Sequence, residues 1–312
     1  MPAPIAEDAP RYVPAEQSAL PAESVPSAPI YTPPPTQDYA APTPYDSYPE
    51  SAPAPATQIA ASNYGYTTPA PTGPTHHWSL GFDGFYDRYR EPSLNLETEG
   101  TYYGMNASYE FYSRRMEDLY SGIDLRASIG ESDYESGSGT IKGLDESEYE
   151  ARWKIGISTI RDGRGIVPYT GLGARYYRMD GKDVVSSFGA QGYDRNIFQV
   201  YIPVGVNLHT QLGEWDIRSN LEYDHLFAGW VSSRLGTIPG YENAMNHQDS
   251  GFGLRAELLA GQTYDNGMGF AVGPFLRYWD VDDSKTDSQA AGTFYEPQND
   301  RLHAGVTAKF LF

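Results

Sequence analysis

The stretch that decides the fold is "HAGVTAKFLF", His303–Phe312. Read backwards, Phe312, Phe310, Ala308, Val306, Ala304 and Leu302 share one face of an extended strand. Leu311, Lys309, Thr307, Gly305 and His303 share the other, because successive side chains of a strand point to opposite sides. One face is apolar, the other mostly polar, and the last residue is aromatic.

The same alternation recurs upstream, in "WSLGFDGFYDRY", "TYYGMNASYEFYS", "LYSGIDLRASIG", "YEARWKIGIST", "VPYTGLGARYYRM", "NIFQVYIPVGVNLHT", "WDIRSNLEYDHLFAGW", "SGFGLRAELLAGQ" and "GFAVGPFLRYWDV". With the terminal stretch this predicts ten strands, within a range of eight to twelve. The connections alternate in length. Short turns fall near "SRRMED", "RDGRG", "QLGEW" and "YDNG", and longer polar connections run over about 90–98, 131–147, 180–194, 231–247 and 281–299. An even strand number, both ends on the short-turn side and long loops opposite predict an all-β, antiparallel up-and-down transmembrane β-barrel. The long connections are acidic: Glu131, Asp133, Glu135, Asp145, Glu146 and Glu148 crowd one, and Asp282, Asp283 and Asp287 another. They are expected to be extracellular loops.

Composition agrees with this reading. A mean hydropathy of -0.54 looks soluble, but a barrel that alternates apolar outside with polar inside averages to a polar chain. No run of about 18 apolar residues occurs, which excludes a transmembrane helix. The 26 Tyr, 12 Phe and 5 Trp exceed what a water-soluble core of this size needs, and suit aromatic girdles at two membrane interfaces. Cysteine is absent, so disulfides and thiolate metal sites are excluded. A formal charge of -19 argues against nucleic acid.

Residues 1–75 differ from the rest. They hold 18 of the 24 prolines and one base, Arg11, against seven acids, with no helical or strand period. Such a composition cannot offset its ordering entropy, so a disordered, partly polyproline-II tail is expected, ahead of a barrel over 76–312. The opening "MPAPIAEDAP" has neither the basic start nor the apolar run of an export signal.

Sorting the strands by face sends Tyr103, Met105, Ala107, Tyr109 and Phe111 outward, with Ile123, Leu125, Ala127 and Ile129, Trp153, Ile155 and Ile157, and alternate residues from Phe198 to Leu208. Inward fall Asp83, Asp87, Asn106, Ser108, Glu110, Asp124, Arg126, Ser128, Glu150, Arg152, Lys154, Arg175, Asp216, Arg218, Asn220, Glu222, Asp224, Arg255, Glu257, Arg277 and Lys309. Nearly equal opposite charges in a narrow ten-stranded lumen pair most simply into a network that fills it, so a closed or water-leaking barrel is preferred to an open porin. Glu110, Asp124, Arg126, Glu150, Arg152, Lys154, Arg175, Arg218, Glu222, Arg255, Glu257 and Arg277 are the candidates for that network or for a selectivity lining.

The strand and loop pattern, with the terminal "VTAKFLF", resembles the bacterial outer-membrane β-barrel superfamily over residues 76–312. The resemblance implies that Val306, Ala308, Phe310 and Phe312 form the signal read by the outer-membrane assembly machinery. It also implies a monomer bathed in lipid and lipopolysaccharide, with the tail in the periplasm, free to meet a periplasmic or cell-wall partner. "FAGWVSS", 227–233, is faintly similar to the strand leading into the catalytic loop of the omptin proteases. The following "RLGTIPGYENAMNHQDSG" holds no Asp–x–His, so no catalytic residue carries over.

Other motifs read as structural. Asp224 and His225 are adjacent in a strand and point to opposite faces. His247 and Asp249 can meet near the outer rim, without an identifiable nucleophile. "DVDDSKTD", 280–287, lacks the glycine and terminal glutamate of a helix-loop-helix calcium loop, and His76 with His77 makes a poor chelate. No metal or cofactor is expected. Three roles stay open: a structural, anchoring or interaction barrel, which is preferred; a small channel; and a rim hydrolase of the omptin kind.

Overall fold

The computed structural model describes residues 74–264, 266–289 and 292–312. The expected tail lies outside these residues, save Pro74 and Thr75. Among the described residues no helix is long and apolar enough to cross a membrane. Ten long strands form the wall: β1 (Thr75–Glu91), β2 (Leu96–Ser113), β3 (Leu119–Ser136), β4 (Gly139–Ile157), β5 (Gly165–Asp180), β6 (Arg195–Leu212), β7 (Trp215–Ser233), β9 (Gly251–Thr263), β10 (Gly269–Val281) and β13 (Asn299–Leu311). A short β8 (Ala244–Gln248) extends the sheet beside β7, and β11 (Asp287–Gln289) with β12 (Gly292–Phe294) forms a small hairpin between β10 and β13.

Each long strand pairs antiparallel with the next, and β13 pairs with β1, so the sheet closes. At the seam Leu80 faces Phe310, Phe82 faces Ala308 and Gly84 faces Val306. Below them Trp78 and Phe312 exchange backbone hydrogen bonds of 2.7 and 3.0 Å. Closure leaves no unpaired wall edge, which a spanning sheet requires because hydrocarbon offers no hydrogen bonds.

The outward face is a lipid surface. Ile123, Leu125, Trp153, Ile155, Val204, Leu258 and Phe310 all point out and are exposed. Aromatic pairs bracket this band. Tyr149 meets Tyr176 and Phe198 meets Trp230 on one side, at ring separations of 6.4 and 5.8 Å; Trp78 meets Tyr109 and Trp215 meets Phe270 on the other, at 4.5 and 6.2 Å. Such girdles mark the two membrane interfaces of an outer-membrane barrel.

Two expected loops are not loops. The connections placed over 90–98 and 131–147 are mostly strand, with only residues 92–95 and 137–138 between β1 and β2 and between β3 and β4. The alternation simply continues past the membrane. At about 3.3 Å per residue and a tilt near 40°, strands of 18 and 19 residues reach roughly 45 Å along the axis, against about 25 Å for a lipid-facing band. Outward residues of β3 run Ile123, Leu125, Ala127, Ile129 and then Glu131, Asp133, Glu135, so the lipid boundary lies between Ile129 and Glu131. Tyr103 and Thr101 pair opposite those two residues, which puts the boundary on β2 at the same height. Gly139, at a φ of 105° that L side chains avoid, lets β4 leave the tight tip of this hairpin.

A bulge adjusts β7. Val200 pairs with Ala228 and Tyr201 with Leu226, so Phe227 is the extra residue and the parity switches above it. Phe227 is exposed, and Trp230 stacks on the outward Phe198.

Candidate functional site: the filled lumen

The lumen charges gather into connected groups. In the first, Arg255 donates to Asp224 at 2.6 Å and to Glu150 at 2.9 Å, and lies 3.1 Å from Glu222. Arg152 bridges Glu222 and Asp124, at 2.9 Å from the latter, and Lys154 adds a 2.8 Å contact to Asp124. Tyr201 and Tyr169 donate to Glu150 and Glu222, each at 2.6 Å. These six charged candidates and Asp224 therefore meet, although they come from β3, β4, β7 and β9.

The second group lies toward the outer side. Arg301 grips Asp87 with two hydrogen bonds of 2.7 and 2.9 Å and reaches Glu146 at 3.1 Å, with its guanidinium 3.9 Å from the centre of the Tyr177 ring. His303 Nε2 is 2.7 Å from Asp87 and 3.5 Å from Glu148. Arg126 joins Asp83 at 3.0 Å and stacks over Phe85 at 4.5 Å. Carboxylates and guanidinium groups out of water need both charge partners and hydrogen bonds, and the rings add cation–π attraction while excluding water.

The remaining candidates sit apart. Arg175 donates to Gln199 at 2.5 Å and lies over Trp279 at 4.0 Å. Arg277 stacks on Phe275 at 4.5 Å. Lys309 pairs with Glu257 at 2.8 Å. Glu110 accepts from Tyr120 at 3.1 Å, and with Arg218 it lines the end of the lumen nearest the short turns. Val306, Ala308, Phe310 and Phe312 lie along the outward face of the closing strand.

Glu146 and Glu148 correct the expectation of an acidic outer loop, because both are inside, 4% and 5% exposed. They share a face of β4 with Glu150, Arg152 and Lys154, where the alternation of "DESEYEARWK" runs on into an acidic stretch that reads equally as loop. Arg301 and His303 share the inward face of Lys309 and would have yielded to the same extension. The same alternation puts Tyr102, Gln199 and Trp279 on the inner face, beside outward Tyr103, outward Phe198 and inward Arg277; only closure brings the three together.

A cavity of about 250 Å³ lies on the short-turn side of these groups and one of about 560 Å³ on the other. Between them Asp87, Tyr102, Glu146, Glu148, Gln199, Tyr201, Trp279, Arg301 and His303 line neither cavity, and each is buried. They form a buried belt that belongs to the lining of neither space.

The rim motifs have ordinary partners. Asp224 is buried and His225 exposed on the opposite face. His247 lies edge-on to Trp230 and Asp249 pairs with Lys285. In the 280–287 stretch Asp283 accepts from the Gln298 amide and Asp287 from the Met245 amide. His76 bonds Tyr109 while His77 packs on Tyr112.

A closed ten-stranded wall with an apolar band, two aromatic girdles and a charged interior defines an outer-membrane β-barrel. No family model matches the chain, and no curated protein does. Solved structures similar to it are barrels of this class. The outer membrane protease OmpT from Escherichia coli has a TM-score of 0.48 and 10% identity, covering 78% of this chain and 98% of that one. The translocator domain of the autotransporter NalP from Neisseria meningitidis has a TM-score of 0.38 and 9% identity, covering 78% and 90%. The transport unit of the autotransporter AIDA-I from Escherichia coli has a TM-score of 0.32 and 8% identity, covering 79% and 92%.

Proposed function

We propose that the protein is a non-conducting outer-membrane anchor, a rigid barrel that carries its outer hairpins above the lipid and residues 1–75 on the periplasmic side, where they hold a periplasmic or cell-wall partner. The observation that carries the reading is the buried, ion-paired belt from Asp87 to Arg301, whose residues line neither of the two lumen cavities. A solute path would need that belt to part, and its guanidinium, Arg301, is held by Asp87, Glu146 and the Tyr177 ring. Val306, Ala308, Phe310 and Phe312 act as the assembly signal in this reading, and lipopolysaccharide covers the outer half of the apolar band.

Conductance in planar bilayers is the test. The full chain, and the chain lacking residues 1–73, are both expected to give no single-channel steps; steps in the full chain would replace the anchor with a small channel. Capture of periplasmic proteins by residues 1–75 tests the partner, and an empty result demotes the segment to a spacer. Hydrolysis of peptides or lipids in detergent, lost on His247→Ala, would replace the anchor with a rim hydrolase.

A further inference from the structure

The cavity of about 560 Å³ at the outer mouth is a site in its own right. Leu94, Leu96, Ile141, Leu144 and Met179 give it apolar walls, and Tyr134, Tyr177 and Tyr193 turn aromatic surface toward it. Its size falls in the range of small-molecule sites, about 300–1,000 Å³. The walls are tied together: Ser187 N–H donates to the Thr140 carbonyl at 2.9 Å, Thr140 N–H to the Ser187 hydroxyl at 3.0 Å, and the Ser186 hydroxyl to the Ser138 carbonyl at 2.6 Å. Those bonds fasten the connection between β5 and β6 to the tip of the β3–β4 hairpin.

Three charged groups line the cavity: Glu91, Glu296 and Arg195, which are 3%, 3% and 7% exposed. The guanidinium pairs with both carboxylates, at 3.0 Å from Glu91, and the Tyr89 hydroxyl donates to Glu91 at 2.6 Å and to Glu296 at 3.3 Å. One guanidinium balances one carboxylate, so the lining carries one negative charge in excess. The Thr98 side chain, on a residue 3% exposed, lines the same cavity beside Glu91 and Glu296.

We propose that this cavity binds a small hydrophobic cation, an amine or quaternary ammonium on an apolar or aromatic body. The walls take the body, and the carboxylate excess and tyrosine faces take the charge. An anion is disfavoured by the same excess, and a neutral ligand leaves it unbalanced. The outward Glu97, Glu99, Glu131, Asp133 and Glu135 just above the lipid boundary raise the local concentration of cations at the mouth.

The test is calorimetric titration of the full chain in lipid nanodiscs with 4-phenylbutylamine, 4-phenylbutanol and 4-phenylbutyrate, with empty discs subtracted for bilayer partitioning. The amine is expected to bind saturably, at least about tenfold tighter than the alcohol, and the carboxylate not at all. Glu296→Gln, in the connection before β13, is expected to abolish the preference while holding the alcohol's affinity within about twofold. Ile141→Trp, which narrows the cavity, is expected to weaken binding of both at least about tenfold, with strand content by circular dichroism unchanged in each variant. Absence of saturable binding to the wild-type protein, an alcohol that binds as tightly as the amine, or affinities unchanged by Ile141→Trp would each overturn the proposal.

Discussion

At the residue scale, burial decides what each ion pair is worth. Arg255 serves Glu150, Glu222 and Asp224, and all four side chains are almost wholly buried. Removing it strands three carboxylates, so Arg255→Ala is expected to cost about 3–5 kcal/mol in urea unfolding from lipid vesicles. Lys309 and Glu257 are partly solvated, with side chains 17% and 22% exposed, so Lys309→Ala should cost no more than about 1 kcal/mol in the same assay. Equal losses for the two would show that lumen burial is not what sets these energies. Of the lumen charges, Arg126, Glu150, Arg152 and Arg255 were legible in sequence because two-residue alternation fixes which side of the wall a side chain takes. Glu146 and Glu148 were not, because an acidic run looks the same in a solvated loop and on the inner face of a strand until its partners, Arg301 and Arg126, arrive from β13 and β3.

At the scale of elements, a single strand face passes from hydrocarbon to water. On β3 the change falls between Ile129 and Glu131, so Leu125→Arg, deep in the band, should destabilise by about 2–4 kcal/mol, while Asp133→Arg stays within about 0.5 kcal/mol. Comparable losses at both sites would move the boundary. The closing strand sets a separate expectation. If Phe310 is read as part of an assembly signal, Phe310→Asp will lower the amount of heat-modifiable barrel in cell outer membranes several-fold. The same variant should refold from urea into detergent nearly as wild type, since detergent needs no assembly machinery. In the outer connections Asp249 is paired with Lys285, which holds its carboxyl below the usual carboxylate range. Its stabilisation is therefore complete above the ordinary carboxylate pKa and fades as pH falls through the lowered value. A carboxyl titration by nuclear magnetic resonance that moves to the ordinary value in Lys285→Ala checks the assignment.

At the scale of the whole molecule, the belt makes closure and silence one property. Loosening it with Asp87→Ala and Arg301→Ala together removes the bidentate pair and leaves Glu146 to the Tyr102 and Ser132 hydroxyls and His303 to Glu148, and the double variant is expected to leak current where the wild type does not. Persistent silence would mean that the aromatic rings, rather than the ion pairs, fill the lumen. By itself the sequence determined the strand number, the short-turn ends and the lipid-facing set. Each follows from local alternation, which depends only on neighbours along the chain. Only the tertiary structure decided that two of the expected long loops are strand, that Asp87, Glu146 and Arg301 meet in the buried lumen, and that an outer cavity gathers Glu91, Thr98, Arg195 and Glu296. Those facts depend on which residues of distant strands reach the same height on a closed wall, and alternation along one strand carries no information about height on another.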